Sequence, residues 1–353
     1  MGRDGEPDAR GVRGSGSVSD PLVVIDADAL GRRRTGDETY VENLLRALPP
    51  VGEGLRFAAI TRRPELVPPG VEPIELPARI QELRMALRVP LLLRRLRPAL
   101  AHFVHSLPLA LPCPAVLTVQ DLSFERDSSL MGRRETAIFR VVVPRSARRA
   151  RRVLAISQRT KDDLVELYGI ASEKIVVTPL AADPDFKPGG TRGEYVLLAG
   201  SIEPRKNPLL AADAARAAGR TLVVVGPERD RALAAELRAR GADVRGFVPK
   251  DELVRLTQEA AALLFPTKHE GFGLPVAEAM ACGTPVVASP DPAVLEVGGD
   301  AVAYAEPSEF GATLQRVLAN PEPWSRAGLE RARAYSWEQT ARMTAAVYRE
   351  LLS

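Results

Sequence analysis

Short apolar runs recur along this chain, each followed by a longer stretch with helical spacing, and the series breaks off once before starting again. The first series is LVVIDA from Leu22, RFAAIT from Arg56, AHFVH from Ala101, AVLTV from Ala115, VLAIS from Val153 and KIVVT from Lys174. The second is YVLLAG from Tyr195, TLVVVG from Thr221, DVRGFV from Asp243, ALLFP from Ala262, PVVAS from Pro285 and AVAYA from Ala301. Runs that are apolar at consecutive positions, rather than at alternate ones, belong to strands covered on both faces, and these occur in parallel sheets flanked by helices. Between the two series, Pro184, Pro188 and the Gly189-Gly190 pair break the rhythm. The pattern predicts a disordered tail over 1–20, a parallel-sheet α/β domain over 21–182, a linker over 183–194 and a second such domain over 195–335. A closing helix over 336–353 carries Trp337 and Tyr348 and is expected to return to the first domain, tying the lobes twice and making the linker a hinge.

The 353 residues suit two domains, and 45% hydrophobic residues suffice for two cores. The net charge is +3, and residues 1–190 hold 29 Lys and Arg against 24 Asp and Glu, too even a balance to argue for nucleic acid. Cys113 and Cys282 lie in different halves, which argues against a disulfide framework. With three histidines, His102, His105 and His269, no multi-histidine metal site is expected. The apolar run Leu107 to Val119 is too short for a membrane span and is broken by Pro108, Pro112 and Pro114. With no signal-peptide core after the start, the expected location is cytoplasmic.

The chemistry concentrates in HEGFGLPVAEAMACGTPVVAS, His269 to Ser289, where Glu270 and Glu278 flank a glycine turn between a predicted strand and a helix that has Pro275 in its first turn. Backbone amides and the helix dipole at such a turn favour an anion. An acid that close to an anion site is better suited to holding sugar hydroxyls than phosphate. A second turn, in YVLLAGSIEPRKNPLLAADA, places Arg205 and Lys206 just before a helix with Asn207 as the expected N-cap and Pro208 at its first position. Arginine can grip a diphosphate as a fork and lysine as a point charge. Both turns follow strands of one sheet, where ligands of open α/β folds bind.

The blocks EGFGLPVAEAMACGTPVVAS, AGSIEPRKN and YSWEQTARMTAAVYREL resemble the family 4 retaining glycosyltransferases of the GT-B fold, in which two Rossmann-like domains face each other across a cleft. RRRTGDETYVENLLRAL, LTVQDLSFERD and VLAISQRTKDDLVELYGI in the first half are similar to the corresponding family segments. The resemblance implies a sugar, with mannose a leading candidate, moved with retention from GDP-mannose or a UDP-sugar to a glycolipid, polysaccharide or small glycoside, without a metal. It assigns the diphosphate to Arg205 and Lys206 and the ribose to Glu278. Glu270 would face the transferred sugar, with the amides of Gly271, Phe272, Gly273 and Leu274 near its hydroxyls and phosphates, and Gly200 on the donor side. On the first domain, Gly36 would let the backbone approach the reacting centre, Gln120 and Asp121 end a strand at the cleft, and His105 is a further acceptor-side candidate.

Gln120 stands where family members commonly have histidine. Glutamine does not titrate, so the position can donate or accept a hydrogen bond but cannot be a base. In a retaining scheme where the departing β-phosphate oxygen takes the acceptor's proton, no protein base is needed. A non-catalytic sugar-nucleotide-binding subunit is the competing reading, and a glycosidase using Glu270 and Glu278 leaves Arg205 and Lys206 without a role. Two arginine-rich stretches complete the inventory: Arg79, Arg84, Arg88, Arg94, Arg95 and Arg97 among Leu83, Met85, Leu87, Leu91 and Leu92, then Arg133, Arg134, Arg140, Arg145, Arg148, Arg149, Arg151 and Arg152 with Glu135 as local counter-charge. They are either solvated helix faces or a peripheral contact with anionic lipid at the inner face of the membrane.

Overall fold

The computed structural model describes residues 20–32, 35–77, 80–126 and 133–353, so the predicted tail, apart from Asp20, lies outside the described residues. Two all-parallel sheets form the scaffold. The first holds β1 (Leu22–Asp26), β2 (Arg56–Thr61), β3 (Glu72–Glu75), β4 (Leu100–Val104), β5 (Ala115–Val119), β6 (Arg152–Ala155) and β7 (Ile175–Val177), in the order β3-β2-β1-β4-β5-β6-β7. The second holds β8 (Val196–Ala199), β9 (Leu222–Val225), β10 (Asp243–Gly246), β11 (Ala262–Phe265), β12 (Val286–Ala288) and β13 (Ala303–Tyr304), in the order β10-β9-β8-β11-β12-β13. In each sheet the order reverses once, between β1 and β4 and between β8 and β11. Helices leave to opposite faces at such a point, and a crevice opens beyond the carboxyl ends of the strands.

The helix Thr35–Val51 shows how a sequence pattern sets its packing. Tyr40, Leu44, Leu45 and Leu48 form one buried stripe, Asp37 and Glu38 suit its positive end, and Pro49 and Pro50 fall in its last turn. Burying each of those large side chains contributes roughly 1.5–3 kcal/mol. Against it lies the final helix, Trp337–Leu352, whose Ser336 cap accepts from Gln339 N. Trp337 meets Tyr40 with ring centroids 6.3 Å apart. Tyr348 Oη lies 2.6 Å from His102 Nδ1, His102 Nε2 lies 2.7 Å from Thr118 Oγ1, and Tyr40 Oη lies 2.8 Å from that hydroxyl. Burial drives the His102 pKa down to about 3, so this junction is a neutral hydrogen-bonded chain. The last helix of the chain is thereby fastened to the first sheet.

Three sequence-based expectations change. The edge strand β3 was not anticipated: EPIE is mostly exposed and has no apolar run, and its Pro73 suits an edge. Asn207 sits at the cap position but in the left-handed region (φ 47°), and its side chain makes no capping bond. Arg84 is fully buried, bridging Asp26 and lying 3.6 Å from Asp28, so it belongs to the interior and not to a basic face. Much of the second arginine stretch is also engaged: Arg140 with Glu125, Arg152 with Glu350, Arg148 with the Tyr168 carbonyl and Arg149 with the carbonyls of Pro108 and Leu109. Arg79 and the side chains of Arg133, Arg134 and Glu135 lie outside the described residues. Among the described residues no helix is long and apolar enough to cross a membrane.

Candidate active site

After β8 the chain passes Gly200 and makes one tight turn, Pro204–Lys206, before the helix Pro208–Ala217. After β11 it passes Thr267 and Glu270, turns at Gly273 with φ +97°, and enters the helix Leu274–Cys282. At that φ a side chain is strained, so glycine is the natural residue there. The two turns are tied by Lys268 N donating to the Arg205 carbonyl at 2.9 Å. This bond places the residues from the two sequence motifs in one cluster.

Within the cluster, Lys206 Nζ lies 2.5 Å from Glu270 Oε1 and 5.0 Å from the centre of the Phe265 ring. Thr267 Oγ1 donates to the same carboxylate oxygen at 2.7 Å, and Arg205 Nη1 stands 3.4 Å from the other. Arg205 also donates to the His269 carbonyl at 2.8 Å and to Glu203 at 2.9 Å. Burial alone would raise the Glu270 pKa, but Lys206 and Arg205 hold it below the usual carboxylate range. Burial pulls Lys206 down, with Arg205 adding repulsion and Glu270 opposing both. The result is a largely buried, charged, hydrogen-bonded platform with two cations whose orientation is already set, an arrangement that favours charge developing on a ligand.

Glu278 is also buried, one turn into its helix, and differs from Glu270 in having no ion-pair partner among the described residues. Burial first and then Asp183 push its pKa up to about 8, with Lys250 pulling the other way. Asp183 itself accepts from Lys250 Nζ at 2.7 Å and from Asn43 Nδ2 at 3.0 Å. Phe272 turns its ring into the core, edge-on to Tyr335 at 5.7 Å between centroids, so only its backbone remains as a candidate ligand contact.

The first domain meets this platform just beyond the ends of β5 and β6. A Cβ built on Gly271 would come within 2.2 Å of the Gln120 carbonyl oxygen and 2.9 Å of the Asp121 Cβ, so only glycine allows the two lobes to approach this closely. Asp121 accepts from Ser123 N at 3.0 Å and Ser123 Oγ at 2.8 Å. Burial opposes its charge, but Arg205 across the cleft and these hydrogen bonds keep its pKa low. Gln120 is buried and its side-chain Nε2 has no hydrogen-bond partner among the described residues. Its Oε1 would lie 3.6 Å from a Cβ on Gly36, which places that glycine at the same spot. His105 adopts φ +62°, costly for a non-glycine residue, and its Nε2 lies 3.2 Å from Asp37 Oδ1.

Sequence reading missed Thr267, Glu203, Ser157, Thr160 and Glu296. Ser157 Oγ donates to the Gly271 carbonyl at 2.5 Å and Thr160 Oγ1 to the Gln120 carbonyl at 3.1 Å. Their local signal was that of an ordinary helix cap, S-x-x-T, with nothing to point to the other domain.

A family model described as Glycosyl transferases group 1 matches residues 183–333, and one described as Glycosyltransferase Family 4 matches residues 34–186. The chain is 29% identical over 233 residues to the O-antigen chain mannosyltransferase B of Escherichia coli, covering 57% of this chain and 61% of that one. It is 32% identical over 243 residues to the D-inositol 3-phosphate glycosyltransferase of Frankia alni, covering 57% and 59%. The matched segment spans about three fifths of the length of these curated relatives. Among solved structures, sucrose-phosphate synthase from Thermosynechococcus elongatus superposes with TM-score 0.75 at 19% identity, covering 94% of this chain and 99% of that one. A glycosyltransferase from Rickettsia africae gives TM-score 0.68 at 16% identity, covering 95% and 99%. At such identities the likeness is one of fold, two Rossmann-like parallel-sheet domains in the GT-B arrangement.

Proposed function

Because the chain belongs to the family 4 glycosyltransferases, group 1, we propose that it moves a hexosyl unit from a nucleotide diphosphate sugar to a hydroxyl of a glycan or glycolipid, with retention at the anomeric carbon. The observation that carries this reading is the meeting of Arg205, Lys206 and Glu270 at the switch point of one sheet with Gln120 and Asp121 of the other, pressed together over Gly271. In this scheme Arg205 and Lys206 take the diphosphate. Glu278 accepts from the ribose hydroxyls, and Glu270 and the backbone from Gly271 to Leu274 orient the transferred sugar.

The anomeric C–O bond to the β-phosphate breaks while the acceptor oxygen forms a bond to the same carbon from the same face. The departing phosphate oxygen takes the acceptor's proton, and the two cations stabilise the charge left on the diphosphate. Gln120 supplies a neutral amide donor, and a sugar hydroxyl would satisfy its otherwise unpartnered Nε2. The scheme draws on no metal ion.

Mannose is the first sugar to test, because three of the similar proteins are named mannosyltransferases. An acceptor at the inner face of a membrane fits the outer side of the first domain, where Ile80, Leu83, Leu87 and Leu91 are exposed beside Arg88, Arg94 and Arg95. The test is a thermal-shift panel of GDP- and UDP-sugars, followed by transfer assays with and without EDTA. One donor is expected to raise Tm and to turn over in both conditions. A stabilising donor that no acceptor ever consumes would instead mark a binding subunit, and no stabilisation by any nucleotide sugar would refute the reading.

A further inference from the structure

The helix Gln158–Tyr168 of the first domain begins at the cleft with its own cap, Ser157, which accepts from Thr160 N at 3.1 Å. That cap leaves the first two amides of the helix without an intrahelical acceptor. They are taken by a carboxylate from the other domain. Gln158 N donates to both Glu296 oxygens at 2.9 Å, and Arg159 N lies 3.3 Å from Oε2. Glu296 belongs to the helix Pro292–Gly298, which is held firmly at both ends: Asp291 caps its start, and the Glu296 carbonyl accepts from Arg331 at 2.6 Å and from Tyr335 Oη at 3.0 Å. A fixed negative charge therefore sits on the positive end of a helix more than a hundred residues away in sequence.

The same first turn of that helix also holds the reacting parts of the cleft. Ser157 Oγ grips the Gly271 carbonyl and Thr160 Oγ1 grips the Gln120 carbonyl. Separating the lobes would break the Glu296 contacts and the Ser157 contact together, while Ser157 would go on capping its own helix. We propose that Glu296 is a positioning residue that caps the first-domain helix in trans and thereby latches the cleft closed, setting the Gly271 loop against Gln120 and Asp121. This rests on the reading of the cleft as the transfer site, but the latch itself can be measured without any transfer. Capping contributions of ordinary size correspond to about a two- to thirty-fold shift in the closed-to-open ratio.

Two variants of the full chain test it. Glu296→Ala removes the carboxylate. Gln158→Pro removes the donor N–H while leaving the helix intact, because proline is favoured at the first helical position and Ser157 already has the extended backbone (φ −155°, ψ 163°) that precedes a proline. Small-angle scattering of the ligand-free protein should show a larger radius of gyration for both variants than for the wild type, and Glu296→Gln should fall between. The double variant Glu296→Ala/Gln158→Pro should be no more open than the stronger single variant. If transfer is detected, kcat should fall two- to thirty-fold or so with the Kd for free GDP or UDP nearly unchanged, since that ligand is held by the second domain. An unchanged radius of gyration in both single variants would overturn the latch, whether or not the protein proves to be a glycosyltransferase.

Discussion

Replacing Glu278 by glutamine separates what this carboxyl costs the fold from what it contributes to the site. Burial, then Asp183, push its pKa up to about 8, whereas an ordinary glutamate titrates near 4.5. Across the interval the folded protein holds a proton that the unfolded chain has lost. Stability from this group is therefore complete below pH 4.5, falls as the pH rises, and levels off above pH 8. The fall is at most about 1.4 kcal/mol for each pH unit, and relaxation of the site and the nearby Lys250 reduce it, leaving a few kcal/mol in all. In a domain of this size each kcal/mol moves Tm by roughly 2–4 °C. Glu278→Gln should therefore match the wild type at pH 5 and melt roughly 5–10 °C higher at pH 8.5, as read by scanning calorimetry or fluorimetry across that range. Nucleotide binding should move the opposite way. In the proposed ribose contact an ionised carboxylate accepts more strongly than a neutral carboxyl or amide, so wild-type affinity should rise between pH 7 and 9, while the glutamine variant stays weaker and flat. A Tm difference that does not change with pH would refute the assignment of a protonated, buried Glu278.

The Lys206–Glu270 pair allows a second test, because each charge is buried against the other. Lys206→Met and Glu270→Gln should each cost about 3–5 kcal/mol in denaturant unfolding, the double variant should recover much of that loss, and none of the three should transfer sugar; additive losses would show that the two groups are not coupled. At the surface, Leu87→Glu with Leu91→Glu should abolish co-sedimentation with anionic phosphatidylglycerol vesicles at low salt without changing Tm, and a wild-type protein that does not sediment there would dispose of the membrane reading.

Which parts of this architecture can be read from the sequence depends on how far apart the interacting groups lie. Most of the strands announce themselves as apolar runs because both faces of each sheet are covered, while β10, an edge strand, shows only as the part-exposed DVRG. β3 does not, since an edge strand with one neighbour needs no apolar face. Asn207 shows the limit of residue type as a guide. Asparagine is a good N-cap and also one of the few side chains that tolerate a left-handed backbone, and the tight turn at Pro204–Lys206 selects the second property. For Arg84 nothing local distinguishes it from Arg88. Its burial is decided by Asp26 and Asp28, more than fifty residues earlier, at the end of β1.

The same argument divides the cleft. Glu270, Glu278, Arg205 and Lys206 were legible because each lies in a compact strand–turn–helix unit whose chemistry is local. Their electrical character was not. The two glutamates look equivalent in HEGFGLPVAEAM, yet one is held charged by Lys206 and Arg205 and the other is driven toward neutrality by burial and Asp183. That asymmetry follows from which loops the sheet order places side by side. β8 and β11 are neighbours, so the cations after one strand reach the acid after the other, while Glu278, a turn deeper in its helix, feels the negative charge of Asp183 instead. A single reversal of strand order thus gives two like residues unlike settings, a carboxylate fixed between two buried cations and a carboxyl whose charge depends on pH and on what binds beside it.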